Sequence, residues 1–131
     1  MLDQAKKDKI DFLVGCDIEE RDNREQVLNA ICKTKWLRKK NYRPEDITLD
    51  LMEKLYTKVR NKYPGQIGYI QQASIRSWRI MIKTNDTHQW INSFFALNFF
   101  ELMAKTLIVI YAYFELGYSQ HDEKGRDYVR D

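Results

Sequence analysis

The stretch Ser93–Tyr118, SFFALNFFELMAKTLIVIYAYFELGY, constrains this chain more than any other. It is apolar enough to suggest a membrane span, yet it carries Asn98, Glu101 and Lys105. A span needs about 20 predominantly apolar residues, and only Thr106–Phe114 is free of charge between Lys105 and Glu115. At about 100° per residue the three polar side chains fall within about 60° of one another on a helix. Glu101 and Lys105 stand four apart, with the acid toward the N-terminus, the favourable order for an ion pair. The spacing therefore predicts a core helix with one narrow polar stripe, and no membrane. A helix from Thr87 to Leu116, closed by Gly117, would be about 45 Å long. It must therefore break, with Asn98 the natural place, or project beyond the domain.

The remaining pattern predicts an all-α fold: a compact bundle of four to five helices with a long apolar C-terminal central helix. At 131 residues the chain is long enough for one hydrophobic core, and with five Gly and two Pro it carries few of the breakers that punctuate all-β folds. Residues 1–118 read as one helical domain and 119–131 as a polar, flexible tail. The first helix covers roughly Asp3–Val14. Asp22 and Glu25 have capping-box spacing before a helix with Val27, Leu28, Ile31, Cys32 and Trp36 on one face, ending near Asn41. Pro44, Glu45 and Asp46 suit a helix start, and Leu51, Met52, Leu55, Tyr56, Val59 and Tyr63 continue that helix. Ile67–Lys83 is ambiguous. Ile70, Ala73, Trp78 and Met81 fit a helical face, whereas SWRIMIK alternates as a strand would. No partner strand is evident, so a helix is expected. Asp86 and Gln89 repeat the capping-box spacing at the start of the last segment.

Chemistry-bearing groups are sparse. Cys16 and Cys32 form no CxxC pair and have no histidine at ligand spacing, so no zinc site is expected. A disulfide between them is geometrically possible but not implied; the helical spacing of Cys32 with Leu28 and Trp36 reads as a buried reduced thiol, which fits a cytoplasmic protein. The N-terminus lacks the unbroken apolar core of a signal peptide. Asp17-x-x-Glu20 and Asp50-x-x-Glu53 have the spacing of magnesium-binding carboxylates. However, the first pair reads as a loop, and Lys105 stands where a further acid would be wanted. His88 at an expected helix start and His121 in the polar tail beside Asp122 and Glu123 read as solvent-exposed histidines rather than catalytic bases. No enzymatic activity and no cofactor are expected.

Charge is more informative. The chain's net charge is +3, but residues 33–83 hold thirteen Lys/Arg against four Asp/Glu, a balance of +9, and each flank sums to −3. Such asymmetry points to the charge of a partner. KTKWLRKKNYR, Lys33–Arg43, packs six cations with Trp36 and Tyr42, a combination suited to phosphates and stacked bases. Lys35, Arg38, Lys39, Lys40 and Arg43 are its candidate contacts. Lys54, Lys58 and Lys62 form a second ridge at helical spacing, and Arg76 and Arg79, with Lys83, a third. Convergence of the three on one groove predicts a non-enzymatic module that binds a polyanion, nucleic acid or an RNA–protein assembly. The alternative is an interaction module, such as an inhibitor, immunity factor or assembly adaptor, docking on an acidic or apolar protein surface. Its three Trp, eight Tyr and six Phe would suit binding hot spots, and a homo-oligomer or a larger complex is then expected.

Overall fold

Two antiparallel hairpins replace the helices expected between Ile67 and Phe95, so the fold is mixed rather than all-α. The computed structural model describes the backbone of residues 4–84 and 87–117, with the side chains of all but Tyr69 and residues 82–93. In chain order the elements are α1 (Gln4–Gly15), α2 (Arg21–Cys32), two single 3-10 turns (Arg38–Lys40 and Pro44–Asp46) and α3 (Leu49–Lys62). There follow β1 (Ile67–Ser74), β2 (Ser77–Thr84), β3 (Thr87–Phe95) and α4 (Phe99–Leu116). The strands form one sheet in the order β1-β2-β3. The Asp86 half of the predicted capping box, His121 and the tail 119–131 lie outside the described residues.

The partner strands were hidden in the sequence by irregular register. β2 turns Ile80 into the core and packs Trp78 against it. On β3, Ile80 opposes Asn92 while Met81 opposes Trp90, so one residue is left over and strict alternation is lost at that bulge. β1 is likewise irregular between Ile67 and Ile70 and between Gln72 and Ser74. Gly68 sits where the strands crowd: a Cβ there would lie 3.1 Å from the Met81 carbonyl oxygen and 3.2 Å from its Cβ. Ile67, Ile80 and Phe94 bring one sheet face into the core, where β3 meets α1 and α4.

The expected 30-residue C-terminal helix is therefore a strand followed by an 18-residue helix, about 27 Å long at 1.5 Å per residue. The break falls at Asn98, whose extended backbone and side-chain oxygen cap α4 by accepting the Glu101 N–H at 2.9 Å. Gly117, with φ 74°, closes the helix in the left-handed conformation. Among the described residues no helix is long and apolar enough to cross a membrane.

Three other boundaries moved. α2 stops at Cys32 rather than near Asn41, and its N-cap is Glu20, not Asp22. α3 begins after Thr48, whose hydroxyl accepts the Leu51 N–H at 3.1 Å, and Pro44–Asp46 is a separate turn. Both cysteines are buried and unbonded, and burial pushes both thiols above their ordinary range.

The Glu101–Lys105 part of the polar stripe faces inward, while Asn98 is exposed. Glu101 and Lys105 are both 0% exposed, and Lys105 Nζ lies 3.0 Å from Glu101 Oε2. The same ammonium donates to the carbonyls of Cys16 at 2.5 Å and Phe95 at 2.7 Å. Glu101 in turn accepts the Leu97 N–H at 2.9 Å on one oxygen and the Ile18 N–H at 3.4 Å on the other. All three ammonium protons and both carboxylate oxygens are thus engaged, the condition under which a buried charge pair is tolerable. The hub ties the α1–α2 turn, the end of β3 and the start of α4 into one joint.

Candidate polyanion-binding face

Three of the predicted cations stand in succession on a braced turn. After α2, the chain makes backbone bonds from the Leu37 and Arg38 N–H groups to the Thr34 carbonyl, at 3.1 and 2.9 Å, and from Lys40 N–H to Leu37 at 2.9 Å. Leu37 is buried beneath the turn, and Asn41 ends it in the left-handed region, φ 56°, which Asn tolerates better than most residues. Arg38, Lys39 and Lys40 are exposed in succession, and none is paired with a carboxylate among the described residues.

The aromatics interleaved with them face the other way. Trp36 packs against the core with its ring edge-on to Tyr111, centroids 4.9 Å apart, and Tyr42 is also half-buried against the core. Neither is presented as a stacking platform for bases.

Glu115, in the last turn of α4, joins the first two basic ridges. Lys35 approaches its Oε1 at 3.4 Å and Lys62 its Oε2 at 3.1 Å, while the Tyr63 hydroxyl donates to Oε2 at 2.5 Å. The Tyr63 hydrogen bond, reinforced by Lys62 and Lys35, holds this carboxyl below its ordinary range. The hydrogen bond to Glu115 raises the Lys62 ammonium above its own. Tyr63 also stacks on Phe114, centroids 4.1 Å apart, which fixes the end of α3 against α4. Three residues of chain reach at most about 11 Å, so Arg38 lies within that distance of Lys35. Lys58 is one turn, about 6 Å, from Lys62.

The other candidates are placed differently. Arg43 pairs with Glu45 at 3.0 Å and approaches Asp46 at 3.9 Å, and Lys54 pairs with Asp50 at 3.0 Å. Arg76 belongs to the β1–β2 turn, where its carbonyl accepts the Ala96 N–H at 3.0 Å. That is the opposite end of α4 from Glu115, about 25 Å along the helix at 1.5 Å per residue. Arg79 lies on the face of β2 turned away from Ile80 and the core. The first two ridges therefore meet, and the third stands apart from them.

Asp17, Glu20 and Asp50, three of the four carboxylates considered for magnesium, have local partners. Asp17 Oδ1 accepts the Glu19 N–H at 2.9 Å, and Glu20 Oε2 accepts the Asn23 side-chain amide at 2.8 Å. Among the described residues no cluster of three or more His, Cys, Asp or Glu could hold a metal ion. Comparison with protein-family models, with curated proteins and with solved structures finds no match. The functional reading therefore rests on the chemistry of this chain alone.

Proposed function

We infer that this protein is a small non-enzymatic module that holds a polyanion, nucleic acid or an RNA–protein assembly, on the face around Arg38–Lys40. The observation that carries the reading is the run of three exposed cations on a turn whose backbone is already bonded and anchored by Leu37. Little conformational freedom is lost when such a turn meets its ligand, so more of the Coulombic gain is retained on binding. Lys35, three residues before Arg38, and Lys58, one turn from the Lys62 that shares Glu115 with Lys35, are the further contacts. With Trp36 and Tyr42 directed to the core, the contacts are to phosphates rather than to bases, and binding is expected to be indifferent to sequence.

An electrophoretic mobility series over salt tests this. Five phosphate contacts give a slope near −4.5, so affinity falls roughly 500-fold between 50 and 200 mM salt. The triple reversal Arg38→Glu/Lys39→Glu/Lys40→Glu flattens that slope by about 2.7, whereas Arg76→Glu leaves the affinity within about twofold. No binding at 50 mM salt, or an unchanged affinity in the triple variant, would refute the reading.

A further inference from the structure

A second surface, built by α1, α2 and α4, has both an apolar floor and a charge of one sign. Between α1, α2 and α4 runs an open groove of about 390 Å³. Its apolar lining is Ile10, Leu13, Ala30, Ile108, Ala112 and Leu116. The two alanines, one on each of two walls, leave the space that larger side chains would fill. Leu116, at the end of α4, is 37% exposed although it lines this trough.

Every charged residue lining the groove is a lysine: Lys6 and Lys9 from α1 and Lys33 at the C-cap of α2. Lys9 donates to the neutral Gln26 side chain at 2.7 Å, so its charge is not offset there. The cations thus come from two elements, α1 and the end of α2, beside a shared apolar lining. A complementary ligand is therefore apolar along one face and acidic beside it.

We propose that this groove seats one acidic amphipathic helix of a partner protein, as a fourth helix laid along α1, α2 and α4. Residues 6–13 of α1 and 108–116 of α4 each line it for about two turns, or 10–12 Å. That length receives side chains at i, i+3 or i+4, and i+7 of an amphipathic helix. A fatty acid fits less well: small-molecule sites enclose most of their ligand, whereas this trough is open, and a single carboxylate answers only one of the two sets of lysines. The proposal is independent of the polyanion face.

The test uses the full chain and a capped, fluorescently labelled 18-residue peptide. The peptide carries Leu at i, i+3, i+4 and i+7 and Glu flanking that stripe, and anisotropy reads its binding. Saturable binding is expected, weakening with salt. Ala30→Trp, which fills the trough, should weaken it at least tenfold. Lys6→Glu/Lys9→Glu, at exposed positions, should weaken it by a similar factor and let a Lys-flanked peptide bind instead. Circular dichroism checks that each variant is folded; should Ala30→Trp unfold the chain, the lysine pair decides. The Arg38/Lys39/Lys40 reversal should change peptide affinity less than threefold. No binding at 200 µM peptide, or equal binding of acidic and basic peptides, overturns the proposal. So does dodecanoate binding with no peptide binding, or a dimer that Ala30→Trp dissolves, which would assign the groove to an amphiphile or to a second copy.

Discussion

Replacing Lys105 by Met removes the ammonium at the centre of the buried joint and keeps most of the stem's volume. Glu101 is then left 0% exposed with two backbone N–H donors and no counter-charge. The carbonyls of Cys16 and Phe95 lose their partner. Breaking one side of a buried pair costs about 3–5 kcal/mol, and an orphaned buried carbonyl about 1–3 kcal/mol. These terms overlap, so the expected loss is about 5 kcal/mol, which is a third or more of a typical domain's stability.

The informative variant is the double Glu101→Leu/Lys105→Met. For many buried pairs, apolar replacement of both partners is neutral or stabilising. Here each charge serves backbone groups of other segments. The double change leaves the Cys16 and Phe95 carbonyls and the Ile18 and Leu97 N–H groups without partners. It should remain at least about 3 kcal/mol less stable than the natural chain. Urea unfolding followed by far-UV circular dichroism measures both variants on one baseline. A double variant within about 1 kcal/mol of the natural chain would show that the ion pair does not support the surrounding backbone, and the reasoning would fail.

Two further outcomes follow from neighbouring contacts. Asn98→Ala removes the acceptor for the Glu101 N–H and should cost about 1 kcal/mol in the same assay, whereas Asn98→Asp should cost less. Glu115 has a folded-state pKa below its ordinary value of 4.5. Its stabilisation is therefore present above that value and is lost as pH falls through the lower folded-state value. The urea midpoint should drop below about pH 4.5 in the natural chain, and Glu115→Gln or Tyr63→Phe should flatten that drop; parallel pH profiles would refute the assignment.

How much of this was legible differs by segment. The Glu101–Lys105 pair and the break at Asn98 could be read from spacing and from the excessive length of the helix. That the pair points inward could not, because its partners are backbone atoms of residues 16, 18, 95 and 97, which leave no mark on side-chain periodicity. The sheet was half legible. Trp78, Ile80 and Ile82 alternate, but the bulge opposite Met81 breaks the same pattern in β3, and THQWINSFF then matches a helical face as well as a strand. The cations of Lys33–Arg43 could be found by composition. Which of them are neutralised could not, since Glu115 lies 80 residues beyond Lys35 in the chain, while Trp36 is drawn inward by Tyr111, 75 residues beyond it. The lysine-rimmed groove left no signal, because its walls come from three segments that are adjacent only in space.

The buried joint also bears on how the chain is made. The bond from Lys105 to the Cys16 carbonyl spans 89 positions. At a synthesis rate of about 5–20 residues per second, the α1–α2 turn emerges roughly 4–18 s before the ammonium that completes it. Through that interval the N-terminal helices have neither the apolar face of α4 nor the polar centre of the joint. They are the part of the nascent chain most in need of protection by the ribosome surface or a chaperone, and their final docking waits on the last helix.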